Sequence, residues 1–260
     1  SILLVTSLFE GFVDGAVTTV KTLSTAFPTA VILYDLIPLL YQDAYLKNPV
    51  YADWYFKQLE ELKKADLLLS ISDSSRQEAI HHLGIPHAII KTIYAGKDDH
   101  FFPKALDQER INDLKFRFRL DRPYVLYGGG IDFRKNIEGL IRAFSGLPRK
   151  VRDTHQLAIV CSVSEEDKAR LEALSIDAGL APGQFVMTGY VAEEDLVDLY
   201  RMSKLFVFPS LHEGFGLPAL EAMACGIPVI GSNNSSLPEV IGYPDALFDA
   251  KDDAALSQKI

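Results

Sequence analysis

The sequence predicts an α/β protein with two doubly wound, parallel-sheet domains. Short apolar runs that suit β-strands alternate with helical stretches along almost all of the 260 residues, and this alternation is typical of βαβ units. The apolar runs are nearly continuous, as expected of parallel strands covered by helices on both faces. A charged stretch at 104–122 separates two such series. We therefore predict one domain at residues 1–105 and a second at residues 106–260.

The first domain has four predicted strands and two predicted helices. One helix begins at a capping Ser72 or Asp73 and ends at Gly84, because these residue types favour helix starts and stops. The other is the stretch NPVYADWYFKQLEELKKA. The strands are, in order, ILLVT, AVILYD, LLLSIS and AIIKTIY. The chain opens directly on a buried type of strand, so we expect a fragment whose first domain lacks its opening strands.

The second domain has six predicted strands with helices between them. Two of these helices, SEEDKARLEALSIDAGL and AEEDLVDLYRMS, carry acidic residues early, where the positive end of the helix dipole stabilises them. The strands are, in order, PYVLYGG, QLAIVCS, QFVMTG, KLFVFPS, IPVIGS and ALFD.

Composition limits the partners and the compartment. A net charge of -9 argues against nucleic acid, because phosphate backbones are bound by clustered Lys and Arg. Cys161 and Cys225 have no metal-ligand spacing and are predicted to be buried free thiols, which suits a reducing cytoplasm. The longest apolar run, AVILYDLIPLLY, is shorter than the roughly 20 residues of a membrane-spanning helix.

The aromatic stretch YADWYFKQL has two interpretations. Tyr51, Trp54 and Tyr55 are helically spaced, which favours a stripe that faces the core. The alternative is an exposed patch that contacts an acceptor or a membrane. With that alternative, the protein would be cytoplasmic with a peripheral contact at the inner face of the membrane.

The most informative segment is HEGFGLPALEAMACGIPVI at residues 212–230. It follows the predicted strand KLFVFPS, and ligands of parallel α/β sheets bind beyond the carboxyl ends of strands. Gly214 and Gly216 have no Cβ, so the backbone can turn sharply beside a ligand. Pro218 suits the first turn of a helix that begins near residue 217. The N–H groups at the start of that helix predict an anion site suited to phosphate.

Two glutamates flank this turn. Glu213 precedes the helix and Glu221 lies one turn into it, so we expect both to face one cleft. A carboxylate accepts two hydroxyl hydrogen bonds at once, which suits the vicinal diols of ribose or a hexose. Two carboxylates around a phosphate site indicate a nucleotide-sugar ligand. The alternative is that Glu213 is a solvated loop residue and Glu221 an ordinary helix residue.

The stretch GFGLPA at residues 214–219 also matches the dinucleotide-binding pattern G-x-G-x-x-A. Three features argue against an NAD enzyme. Several residues separate the strand from Gly214, and the unit comes late in its domain. The next strand, IPVIGSNNSS, ends in small polar residues where an acid for the adenine ribose should stand.

With these residues identified, the second domain resembles the retaining glycosyltransferases of family 4, glycosyl transferases group 1. The segment PSLHEGFGLPALEAMACGIPVIGS resembles the E-x7-E motif of that family, and YGGGIDFRKNIEGLIRAF resembles its phosphate-contacting segment. A weaker likeness lies in ADLLLSISDSSRQEAI. The main match covers residues 123–248. The resemblance implies the GT-B fold, in which two Rossmann-like domains face a cleft, here with an incomplete first domain.

The resemblance also implies roles for individual residues. Glu213 would be the catalytic residue that faces the donor sugar and its phosphate, and Glu221 would hold the ribose hydroxyls. Lys135, with Arg134 beside it, would bind phosphate, although a solvated surface pair is the alternative. Many family members have an arginine where this chain has glycines, which leaves Arg134 as the obvious substitute. The remaining donor-binding positions are Gly129, Gly130, Gly214, Phe215, Gly216 and Leu217.

The resemblance implies a retaining hexosyltransferase for polysaccharide or glycolipid assembly. It would move a hexose such as mannose or glucose from a nucleotide-diphosphate sugar to a hydroxyl of a carbohydrate or lipid-linked glycan acceptor. Fixed cations and helix N–H groups stabilise a leaving nucleoside diphosphate, so we expect no metal ion or other cofactor. The alternative is a nucleotide-sugar-binding module without catalysis. We expect residues 1–260 alone to keep the donor site and to show little turnover.

Overall fold

The computed structural model describes residues 1–16, 18–21 and 26–260. By its backbone contacts the chain divides into two compact units. The first comprises Ser1–Ala95 together with Glu213–Phe215, and the second comprises Gly96–His212 and Gly216–Ile260. The boundary between residues 105 and 106 stays a prediction, because compactness does not test which segment folds independently.

The first unit contains a parallel four-stranded sheet in the order β1-β2-β3-β4. The predicted helix caps are present: the Ser75 N–H donates to Ser72 Oγ at 2.9 Å, and Gly84 has a φ of +68°. The strands are β1 Leu3–Val5, β2 Thr29–Leu33, β3 Leu67–Ser70 and β4 Ile90–Thr92. The helices are α1 Ile37–Leu40, α2 Gln42–Tyr45, α3 Pro49–Leu62 and α4 Asp73–Leu83.

The aromatic stretch of α3 faces the core in part. Tyr55 is buried in the core of the first unit, while Tyr51 and Trp54 are half-buried. The ring of Phe12 lies 5.0 Å from that of Tyr51 and 5.5 Å from that of Trp54. The helical spacing therefore places a stripe on the core side, as predicted, and its outer members pack against a neighbouring aromatic ring.

The second unit contains a parallel six-stranded sheet in the order β10-β9-β8-β5-β6-β7. Its strands are β5 Tyr124–Gly128, β6 Gln156–Val160, β7 Phe185–Met187, β8 Leu205–Phe208, β9 Val229–Ser232 and β10 Leu247–Phe248. Its helices are α5 Gln108–Phe118, α6 Ile137–Ser145, α7 Arg149–Arg152, α8 Glu165–Asp177, α9 Glu193–Met202, α10 Leu217–Ala224, α11 Leu237–Ile241 and α12 Asp253–Lys259. Every strand predicted from the sequence is present, in most cases trimmed at its ends.

The direction of chain progression reverses at β5. From β5 the chain moves outward to β6 and β7, and then returns to place β8 on the other side of β5. The register pairs Val125 with Leu205 and Leu126 with Phe206. In parallel α/β sheets the ends of two strands at such a reversal form the usual ligand crevice. The second unit therefore has its expected site beyond β5 and β8.

Both faces of the second sheet are covered. All residues of β5 and β6 are buried, which explains why their sequences are continuously apolar rather than alternating. Cys161 and Cys225 are buried free thiols, as predicted. Within the described residues, none of the helices combines the length and the apolarity that crossing a bilayer requires.

The charged stretch at 104–122 contains α5, which packs against α9. Arg110 Nη2 lies 2.6 Å from Asp195 Oδ1, and Arg117 Nη1 lies 2.8 Å from Asp195 Oδ2. Arg110 Nε also donates to Asp198 at 2.8 Å. The two arginines of α5 are therefore paired with acids about eighty positions later in the chain, within the second unit.

A buried glutamine provides the first test of this unit. Gln156 accepts the Arg122 N–H at 2.9 Å and donates to the carbonyls of Arg119 and Gly183 at 3.1 and 2.8 Å. Gln156→Leu keeps the volume but leaves three backbone groups unpaired, so we expect a loss of about 2–4 kcal/mol in the free energy of unfolding. Urea denaturation measures it. Gln108 is exposed, so Gln108→Leu should change the free energy of unfolding by less than about 0.5 kcal/mol. Equal losses in the two variants would show that the hydrogen bonds of Gln156 do not stabilise the fold.

The α5–α9 pairing predicts a dependence on pH. Hydrogen bonds from Arg117, and then from Arg110, hold the pKa of Asp195 below its usual value of 3.8. A depressed folded-state pKa gives stability that is present above the unfolded pKa and is lost as pH falls through the folded pKa. Asp195→Asn should therefore cost about 1–2 kcal/mol near neutral pH. This difference from the native chain should shrink below about pH 4.

Thermal unfolding of both proteins across this pH range measures the effect. Asp121→Asn is a suitable control, because Asp121 is exposed and makes no ion pair within the described residues. A destabilisation by Asp195→Asn that stays constant down to about pH 2 would show that charge pairing is not its cause.

Candidate functional site

The loop after β5 is tightly folded around two glycines. Gly129 has a φ of +148°, and a Cβ at this position would lie 3.1 Å from the hydroxyl of Tyr127. The same hydroxyl donates to the carbonyl of Gly130 at 2.6 Å. A side chain at residue 129 would therefore be strained and crowded, and glycine keeps this loop close to the end of β5.

The turn at Phe133–Lys135 connects this loop to the segment after β8. Asp132 caps the turn by accepting the Arg134 N–H at 2.9 Å. The Arg134 guanidinium is buried, contacts Asp132 at 2.8 Å and donates to the carbonyl of His212 at 2.8 Å. In return, Leu211 N–H donates to the Arg134 carbonyl at 2.6 Å. Arg134 thus joins the two loops, and its contact with a donor phosphate stays a prediction.

The ring of Phe208, at the end of β8, lies beside three of the predicted site residues. Lys135 Nζ is 5.6 Å from the ring centroid. A Cβ built at Gly129 or at Gly216 would lie 3.9 or 3.8 Å from the ring. The ring also stacks on Tyr127, with centroids 6.2 Å apart. Gly129, Lys135 and Gly216, although far apart in sequence, therefore meet where β5 and β8 end.

Helix α10 begins at the predicted residue, Leu217, with Pro218 in its first turn. Gly216 precedes it with a φ of +107°, and a Cβ there would come within 2.7 Å of Leu237 Cδ2. Only glycine fits both the conformation and the space. The start of α10 is thereby held against α11, and Leu217 is left exposed.

Glu221 lies on α10 and is half-buried. The hydroxyl of Tyr200, on α9, donates to Glu221 Oε2 at 3.2 Å. Burial raises the pKa of the Glu221 carboxyl above its usual value; the Tyr200 hydrogen bond and the charge of His100 act in the opposite direction. The sequence pattern predicted that Glu221 would be accessible to a ligand, and it gave no indication of this tyrosine.

Two further residues that support the site escaped prediction. Asn136 adopts a left-handed conformation, and its side chain donates to the carbonyls of Pro209 at 3.2 Å and Ala250 at 2.8 Å. His100 Nε2 lies 3.1 Å from Glu193 Oε1. Both contacts link residues distant in sequence, and an Asn in a positive-φ turn is the one local signal that the sequence offered.

The residues Glu213–Phe215 group with the first unit. Glu213 and Phe215 are buried. The carbonyl of Gly214 accepts a hydrogen bond from Ser75 Oγ at 3.3 Å, and a Cβ at Gly214 would lie 3.0 Å from the carbonyl oxygen of Tyr34. The close backbone approach explains the glycine. A cleft shared by Glu213 and Glu221 stays a prediction.

The chain matches known glycosyltransferases in sequence and structure. It is 39% identical to the serotype-specific mannosyltransferase WbdA of Escherichia coli over 96% of this chain and 31% of that protein. It is 37% identical to the O-antigen chain mannosyltransferase B of Escherichia coli over 77% of this chain and 52% of that protein. The chain thus spans about a third and about half of these two relatives.

A solved structure gives the same fold. The sucrose-phosphate synthase of Thermosynechococcus elongatus superposes with a TM-score of 0.71 at 26% identity, over 90% of this chain and 57% of that one. The parallel sheets of both units thus have the architecture of the GT-B fold. Residues 108–260 match the family described as "Glycosyl transferases group 1". The chain belongs to that family of GT-B glycosyltransferases.

Proposed function

We propose that the protein is a mannosyltransferase of glycan assembly. It would transfer mannose from a nucleoside diphosphate sugar to an acceptor hydroxyl of a growing polysaccharide, with retention of configuration. The family and the two mannosyltransferase relatives support the chemistry. The donor, the acceptor and the stereochemistry are parts of the proposal, because the chain spans only part of those relatives.

One observation carries the proposal: Lys135, the loop after β5 that contains Gly129 and Gly130 (the glycine loop) and the start of α10 meet where the strand order reverses. As the glycosidic bond breaks, the nucleoside diphosphate gains negative charge. A lysine ammonium group and the first N–H groups of a helix stabilise that charge without reorganisation. Gly129 and Gly216 have no side chains that would hold a diphosphate away from the backbone.

The two glutamates would divide the recognition of the donor. Glu221 would accept the vicinal hydroxyls of the ribose, since one ionised carboxylate accepts several hydrogen bonds. Glu213 would face the donor sugar, where the leaving group departs and the acceptor hydroxyl arrives on the same face. With protein cations beside the diphosphate, we expect transfer without a metal ion. We also propose that the reaction takes place in the cytoplasm, a reducing compartment that suits the two free thiols.

A binding module without catalysis would share the same donor site. The two candidates differ in turnover, so release of nucleoside diphosphate by the full-length protein separates them. An acceptor glycan anchored in a lipid would in addition require a peripheral membrane contact, and co-sedimentation with vesicles of the source membrane lipids tests that part.

Donor binding provides the direct test of the proposed function. We expect one nucleotide sugar, with GDP-mannose first among GDP-, UDP- and ADP-sugars, to raise the unfolding temperature of the 260-residue chain. A ligand present at a hundred times its dissociation constant stabilises by about 2.7 kcal/mol. Absence of stabilisation by any nucleotide sugar, in a chain shown to be folded by circular dichroism, would overturn the proposal.

Glu221→Ala tests the ribose assignment. Loss of the carboxylate leaves the ribose hydroxyls without their acceptor, and we expect donor binding to weaken by about 1–3 kcal/mol. Calorimetric titration of the preferred donor measures the dissociation constant. Glu172→Ala, an exposed glutamate on α8, is the control and should bind like the native chain. An unchanged constant in Glu221→Ala would remove the ribose assignment.

A further inference from the structure

Tyr200 is the one described residue that hydrogen-bonds the Glu221 side chain. Its hydroxyl donates to Glu221 Oε2 at 3.2 Å, and its side chain is only 1% exposed. The ring makes an edge contact with Phe206 at 5.4 Å. A Cβ at Gly128, the last residue of β5, would lie 3.5 Å from the hydroxyl oxygen. The hydroxyl is thus held at a fixed point between the end of β5 and α10.

This contact restricts the carboxylate of Glu221. A glutamate side chain has three rotatable bonds, and ordering it at the moment of binding costs conformational entropy. The Tyr200 bond occupies Oε2, and no described residue hydrogen-bonds Oε1. The carboxylate is therefore oriented before a ligand arrives, with one oxygen committed to the protein. Such pre-organisation raises affinity by removing part of the ordering cost.

The contact also acts on the charge of Glu221. The titratable groups that act on this carboxylate are Tyr200 and Glu193 of α9 and His100 in the segment before α5. The carboxylate in turn raises the pKa of the Cys225 thiol, just after α10. Burial and Glu193 raise the pKa of Glu221, whereas Tyr200 and His100 lower it. Burial and the neighbouring carboxylate raise the pKa of Tyr200 well above its usual value. The phenol therefore remains a hydrogen-bond donor throughout the range in which Glu221 titrates.

We propose that Tyr200 is a positioning residue for donor binding, which orients the Glu221 carboxylate towards the ribose hydroxyls. The inference rests on the proposed function of Glu221. The hydroxyl of Tyr200 itself makes no contact with the donor in this arrangement; it acts through the glutamate alone.

Tyr200→Phe tests the inference by removing a single oxygen atom. We expect the dissociation constant of the preferred donor to rise by up to about tenfold near neutral pH, because the released Glu221 side chain then has to be ordered on binding. Without this bond the pKa of Glu221 rises further, so the pH below which donor binding weakens should move upward. Calorimetric titrations across this pH range measure both effects.

Tyr124→Phe is the matched control. Tyr124 is as deeply buried, and its hydroxyl donates to the carbonyl of Leu199 at 2.8 Å. Its loss should lower the unfolding temperature but leave the dissociation constant and its pH dependence unchanged. If Tyr200→Phe behaves like Tyr124→Phe while Glu221→Ala weakens binding, the positioning role is overturned and the proposed function stands. If the native chain binds no nucleotide sugar, the proposed function itself has failed.

Glu221→Gln gives an independent readout that does not require the phenylalanine variant to fold. The buried Tyr200 hydroxyl needs an acceptor, so it fixes the amide oxygen on its own side and turns the NH2 group towards the ligand. We expect donor binding weaker than that of the native chain, because the ribose hydroxyls lose the oxygen that would accept from them. Binding by Glu221→Gln within about twofold of the native chain would overturn the inference, because the orientation of the carboxylate oxygens would then make no difference to the donor.

Discussion

The backbone pairing of β5 with β8 is the constraint on which the second unit depends. Because β5 already pairs with β6 on its other side, the chain has to progress in opposite directions from the centre of the sheet. The loops that leave β5 and β8 consequently diverge towards different helices. Gly129 directly follows β5, and Phe208 is the last residue of β8. The ends of these two strands therefore determine where the segments that carry Lys135 and α10 lie.

Aromatic packing transmits this placement from the sheet to the loops. Phe206 and Phe208 stack with centroids 5.9 Å apart, and Phe208 stacks in turn on Tyr127. The Tyr127 and Phe208 rings pack against the glycine loop, so its backbone is supported by closely packed aromatic side chains. Arg134 then ties the loop to the segment after β8 by hydrogen bonds to backbone atoms. Rigid support of this kind is what a site needs when stabilisation of charge has to precede the reaction.

The sequence was sufficient to predict local structure and insufficient to predict pairing. Runs such as QLAIVCS identified strands because fully buried parallel strands are continuously apolar, and Ser72 and Gly84 marked a helix because caps are local. Other features depend on residues far apart in the chain. These are the strand order, the ion pairs of Asp195 with α5 and the hydrogen bond from Tyr200 to Glu221. Tyr200 in particular has the appearance of an ordinary core aromatic on an amphipathic helix, and only the fold shows that its hydroxyl meets Glu221.

The space available to the side chain of Asn136 depends on the glycine at residue 139, and this dependence limits how the two positions can vary within the family. The Asn136 amide holds the carbonyls of Pro209 and Ala250 together, and a Cβ at Gly139 would come within 2.5 Å of its oxygen. A homologue that gains a side chain at residue 139 must therefore have a shorter or reoriented side chain at residue 136. The segments that contain Pro209 and Ala250 would then lose the hydrogen bonds that hold them together. Substitutions at these two positions should accordingly appear together across evolutionary lineages rather than singly.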